Sequence, residues 1–155
     1  MIVSLAAGCS ASSADGPKAP APDGDVSPQT ATDDPCRYLT AAEMGKAFGR
    51  SMKSSKHANV CQYQGTGNEL VVVKVEAGAV GTIMRYAKLA SAPGQKNPPE
   101  KVSTPAGEAY FDASFPVFIG HVGNHDVQIE TTIEPLPRDA MIAVGKRVME
   151  MLPAR

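Results

Sequence analysis

The chain has 155 residues and a formal net charge of −1, a balance that gives no electrostatic reason to expect a nucleic-acid partner. No run of 18 apolar residues occurs, so nothing in the sequence reads as a membrane-spanning helix. The charge is unevenly placed: residues 10 to 35 carry one Lys and five Asp (−4), and residues 36 to 155 carry 14 Lys+Arg and 11 Asp+Glu (+3). An acidic leader therefore precedes a mildly basic domain.

The chain opens with Leu5-Ala6-Ala7-Gly8-Cys9-Ser10. Two small residues and a glycine between a leucine and a cysteine have the form of a lipobox, where the chain is cut before Cys9 and its sulfur takes a diacylglycerol. Residues 1–8 are then a short signal remnant and Cys9 a lipid anchor. Only eight residues precede Cys9 and none is Lys or Arg, which departs from a complete signal. The competing reading is an ordinary N-terminal strand, Met1 to Leu5, in a cytosolic protein. Cysteine parity favours the anchor. Of the three cysteines, Cys9 is used by the lipid, leaving Cys36 and Cys61 to pair in an oxidising compartment. The competing reading of that pair is two buried thiols.

Residues 10 to 35 are rich in Pro, Ala, Ser and Asp, with Val26 the one large apolar residue. Such a segment buries too little to offset its ordering entropy, and reads as a tether of about 30 Å as a coil and about 80 Å if stretched. The folded domain is expected over 36–155.

Thr40-Ala41-Ala42-Glu43 has the spacing of a capping box and predicts a helix to Phe48, with Leu39, Met44, Ala47 and Phe48 buried and Gly49 as its stop. Residues 50–58, with Arg50, Lys53, Lys56 and His57, read as a basic loop, either solvated or in contact with anionic head groups or an acidic polymer. Asn59 to Gln64 reads as a strand, 65–68 as a turn, and Leu70 to Val75 as a central strand. Residues 80–90 predict a helix burying Ile83, Met84, Ala87 and Leu89, followed by a loop from Pro93 to Pro99. Val117 to Val122 and Val127 to Ile133 predict a hairpin on a type II′ turn at Gly123-Asn124. Pro137 opens a last helix with Met141, Val144, Gly145, Val148 and Leu152 inward. The fold class is α+β: an antiparallel sheet of four to five strands packed with about three helices.

Asp34-Pro35-Cys36, Leu39-Thr40-Ala41-Ala42-Glu43, Cys61-Gln62-Tyr63 and Gly107-Glu108-Ala109-Tyr110 together resemble a domain-of-unknown-function family of small bacterial lipoproteins of the actinobacterial type, with its "DPC-x-LLT-x-x-E" opening. The resemblance covers roughly residues 34 to 153. It implies a lipid-anchored extracytoplasmic domain with Cys36 and Cys61 paired, and an α/β sandwich like that of the PsbP family. It implies no activity. The residues themselves give no reason to expect a cofactor.

No catalytic residue is assigned. Ser54 and Ser55 beside Lys56 and His57 form no nucleophile motif, and neither the glycines at 65–67 nor those at 78–81 make a phosphate loop. His121 and His125 are spaced for zinc on a helix, but across a two-residue hairpin turn they point to opposite faces, so no metal site is assigned. Tyr110, Phe111, Phe115 and Phe118 could line a pocket, although aromatic strand residues more often fill a core. The polar face of the last hairpin, His121, Asp126, Gln128 and Glu130, is the candidate ligand face. Its competing reading is simple solvation.

The expected role is a non-catalytic binding module of the cell envelope, held at the membrane by lipid and presented to an envelope protein or small ligand. The alternative is a lipid-anchored enzyme or metal-handling protein using His121, Asp126 and Glu130.

Overall fold

The computed structural model describes residues 34–78, 80–132 and 137–153. Cys9, the signal remnant and residues 10–33 of the expected tether lie outside them, as does Ile133 at the end of the expected hairpin. The described residues begin two positions before the expected boundary. Asp34 caps a 3-10 turn, Pro35–Arg37, its carboxylate accepting from the Cys36 amide at 3.0 Å.

The capping box forms. In α1 (Ala41–Phe48) the Thr40 hydroxyl oxygen accepts from the Glu43 amide, and the Glu43 carboxylate accepts from the Thr40 amide at 2.8 Å. Gly49 ends the helix in the left-handed region, φ 68°. Met44, Gly45 and Phe48 face inward and Ala47 outward, correcting the expected inward face by one position.

The expected basic loop is a strand. β1 (Met52–His57) pairs with β2 (Val60–Gly65) in antiparallel register, from Met52 opposite Gly65 to His57 opposite Val60. Two features hide it in the sequence. Met52 is its only buried residue, so no alternation of apolar side chains appears. Its two-residue turn carries Ala58 at φ 51°, where a glycine or asparagine would have announced a hairpin.

β3 (Leu70–Ala77) follows with the predicted period of two, Val71, Val73 and Val75 inward. After α2 (Gly81–Ala90) come two strands beyond the expected set, β4 (Glu100–Val102) and β5 (Glu108–Asp112), then β6 (Val117–Val122) and β7 (His125–Thr131). The β6–β7 hairpin pairs Val122 with His125 and His121 with Asp126, as expected. Gly123 has φ 59°, and Asn124 is not in the left-handed region, the combination that a II′ turn requires. α3 (Arg138–Glu150) closes the domain, with Pro137 as its N-cap rather than its first residue. Met149 joins the expected inward set, and Leu152 is buried just past the helix end.

Among the described residues the sheet has seven strands, not four or five, ordered β1-β2-β3-β7-β6-β5-β4. Every pairing is antiparallel. It is two meanders, β1–β3 and β4–β7, joined by the β3–β7 pairing and connected through α2. On one face α1 and α3 bury the main core, which includes Tyr63, Val71, Val73, Phe118, Ile129, Met141 and Val148. α3 comes so close to β6 that a Cβ on Gly145 would stand 2.3 Å from Cδ1 of Phe118.

On the other face α2 covers only part of the sheet. Ile83 is its buried anchor, over Tyr110, Val117 and Ile119. Met84 and Phe115, expected in the core, are 66% and 75% exposed. One helix cannot bury both sides of itself, and Phe115 falls in the β5–β6 turn rather than in a strand.

Cys36 and Cys61 are disulfide-bonded, with Cα atoms 5.0 Å apart. The bond ties the 3-10 turn to β2 beneath α1. Tyr63, two residues along β2, donates its hydroxyl to the Leu39 carbonyl at 2.6 Å.

Candidate functional site

The pairing registers decide which polar residues share the face that α2 leaves open. One cross-strand row runs Ser55, Gln62, Val72, Glu130, Val117. The next runs His57, Val60, Lys74, Gln128, Ile119. A third runs Glu76, Asp126, His121, Glu108. Alternate residues of a strand face the same way, so all three rows lie on the α2 side. Ile119 and Val117 are beneath the helix. The residues from β1, β2, β3 and β7 are not.

The open half holds a shallow depression of about 320 Å³, lined by Asn59, Val60, Val72, Lys74, Gln128 and Glu130. Val60 and Val72 supply its apolar surface. Its polar groups already engage one another: Lys74 Nζ meets Glu76 Oε1 at 2.8 Å, Asn59 donates to the same oxygen at 3.2 Å, and Gln128 donates to Glu130. Tyr86 of α2 stands at the border. Burial pushes its hydroxyl pKa up, and the negative charges of Asp112 and Glu130 add to that while Arg85 opposes it.

At the end of the third row, His121 Nδ1 donates to Asp126 Oδ1 at 2.7 Å. A carboxylate can only accept, so this bond fixes the imidazole tautomer and leaves Nε2 as the second ring nitrogen. Asp126 is 5% exposed, and its Oδ2 has no hydrogen-bond partner among the described residues. His121 has Glu108 as its other cross-strand neighbour. Glu108 in turn accepts from the Tyr110 hydroxyl at 2.8 Å and faces Lys101 at 3.6 Å. Burial, then the Glu108 carboxylate, pushes Tyr110 up to about 12.

The four residues of the candidate face thus lie on one side of the sheet, but in two places. Gln128 and Glu130 line the depression. Asp126 and His121 form a pair at the sheet end. Glu130 lies four positions along the strand from Asp126, about 13 Å, so His121, Asp126 and Glu130 do not converge on one reacting atom. His125 falls on the opposite face from His121. Among the described residues no group of three His, Cys, Asp or Glu side chains is placed to hold a metal ion.

Half of the depression comes from β2 and β3, outside the expected candidate face. The signal was present in Leu70–Ala77: the valines at 71, 73 and 75 alternate with Val72, Lys74 and Glu76, and charged residues at period two in a central strand mark a face open to solvent. No protein-family model, no curated protein and no solved structure matches this chain.

Proposed function

We propose that this chain is a lipid-anchored extracytoplasmic lipoprotein whose domain serves as a non-catalytic binding module of the cell envelope. The observation that carries the reading is the Cys36–Cys61 disulfide. Such bonds persist outside the reducing cytoplasm, and the third cysteine of the chain, Cys9, falls in the lipobox-like sequence.

The uncovered half-sheet supports the binding part of the proposal. A sheet face that carries amide, carboxylate and ammonium groups over a partly apolar depression can exchange internal hydrogen bonds for bonds to a ligand at little net cost. Its shallowness suits a partner surface or a small polar ligand better than a reaction that must exclude water.

The test is the intact mass of the native protein extracted from membranes of its host, with and without reduction, after thiol alkylation. The expected mass begins at Cys9 with acyl chains added, and two thiols alkylate only after reduction. A soluble chain that retains Met1 and alkylates three thiols without reductant overturns the proposal.

A further inference from the structure

The two edges of the sheet are not alike. β4 is three residues long, and Arg138 of α3 grips Glu100 on it with two guanidinium nitrogens. β1 is six residues long and in unbroken register with β2. It contains no proline and no bulge, and its residues from Lys53 to His57 are exposed. Among the described residues no strand pairs with its outer side. A strand of that kind offers a row of backbone donors and acceptors to a further strand.

Its charge selects what can add. Met52–His57 carries Lys53, Lys56 and His57 and no acid. Lys53 and His57 lie on the open face, and Lys56 on the α1 face, because alternate residues share a side. A second copy of the same strand would bring basic side chains against basic side chains with no carboxylate to offset them, an arrangement that is destabilising across strands. An acidic strand meets a complement on both faces. The structure already holds one such contact: the carboxylate of Asp34 reaches Lys56 Nζ at 3.7 Å.

We infer that the outer edge of β1 accepts an extended acidic peptide segment of a partner protein as an eighth strand. Main-chain hydrogen bonds hold it, and Lys53 and Lys56 select its charge. The added strand would extend the open polar face by one strand, so one partner could engage edge and face together.

The experiment uses the full chain carrying Cys9→Ser, with its disulfide oxidised, titrated with a short blocked peptide of alternating glutamate and threonine. The control is its lysine–threonine counterpart. Amide chemical shifts and hydrogen exchange are read residue by residue. The expected result is that alternate amides of β1 slow in exchange by about tenfold or more with the acidic peptide alone, and that binding weakens as salt rises. Lys53→Glu together with Lys56→Glu should lower affinity for the acidic peptide by about tenfold and raise it for the basic one. If that variant folds poorly, the comparison of the two peptides on the parent chain decides the matter alone.

An equal response to both peptides, or unmoved β1 amides, overturns the inference. So does slow exchange in β1 before any peptide is added. If that protection is independent of protein concentration, the acidic residues 10–33 of the same chain occupy the edge. If it grows with concentration, a second copy does.

Discussion

Removing the cross-link between Cys36 and Cys61 should lower the stability of the domain by about 3.5 kcal/mol. The two cysteines are separated by 25 residues. On the chain-entropy model a loop of that length removes about 11.7 cal/mol/K from the unfolded ensemble, or about 3.5 kcal/mol near 25 °C. For a domain of roughly 120 residues the unfolding entropy is about 250 cal/mol/K near its midpoint, so the expected fall in Tm is about 14 °C. Two perturbations separate the sources of the loss. Reduction of the parent protein keeps both sulfur atoms in place and opens the loop. Cys36→Ala with Cys61→Ala also removes a sulfur from the core, where Cys61 is fully buried, and should cost somewhat more. The assay is thermal unfolding by circular dichroism, with and without a phosphine reductant, supported by urea titration. The urea dependence should steepen on reduction because the unfolded chain expands. The double variant should be indifferent to reductant. A reduced parent whose Tm lies within about 4 °C of the oxidised form would refute the loop-entropy argument.

Other outcomes follow from single contacts. Gly145→Ala should destabilise by up to about 2 kcal/mol in urea. The helix propensity of alanine favours it by about 1 kcal/mol, but the new Cβ meets the fully buried ring of Phe118 at 2.3 Å, and overpacking of that kind costs about 1–3 kcal/mol; a stabilised variant would show that α3 is free to shift. Ala58→Gly should gain up to about 1 kcal/mol by relieving the left-handed backbone at φ 51°, the steric relief exceeding the added entropy of the unfolded chain. Tyr63 and Tyr110 are both pushed up to about 12 from 10.0, chiefly by burial. Because the folded values are raised, their contribution to stability is complete below pH 10 and is lost as the pH rises toward 12. An alkaline titration followed at the tyrosinate absorbance should find both groups ionising late or together with unfolding, and ordinary ionisation of both near pH 10 in the folded protein would contradict the packing. Glu69 is held below its ordinary 4.5 by the hydrogen bond from its own backbone amide, by the Gly67 amide and by Arg50, against the opposing effect of burial. That contribution is present above pH 4.5 and fades as the pH falls through the lower folded value, so Glu69→Gln should flatten the acid limb of stability measured by urea midpoint.

Where sequence and fold agree, the signal was local. The capping box at Thr40–Glu43, the two-residue turn at Gly123-Asn124 and the period of two in Val127, Ile129 and Thr131 each depend on neighbours within a few residues. The pairing of His121 with Asp126 follows from the turn length alone. So does the placement of His121 and His125 on opposite faces. With Cys9 set aside as the expected lipid-bearing residue, Cys36 and Cys61 remained as the expected pair, and the disulfide joins those two.

Tertiary structure decided the rest. β1 buries one side chain, Met52, and an edge strand that sheds its charge into solvent has no apolar period to read. Its recognition depends on β2, whose backbone supplies the pairing. The junction of β3 with β7 joins residues some sixty positions apart in sequence, as in Val71 opposite Thr131, and no local pattern encodes such a distance. The same junction builds the open face, because it sets Lys74 beside Gln128 and Val72 beside Glu130. Whether those side chains meet solvent or a helix depends on where α2 lands after leaving β3. It lands on β5 and β6, anchored by Ile83, and so leaves the β1–β2–β3–β7 half uncovered. Short-range stereochemistry specifies some elements of this protein, α1 and the β6–β7 hairpin among them, while the long-range burial of apolar surface places the edge strands, the order of the sheet and the face that stays open.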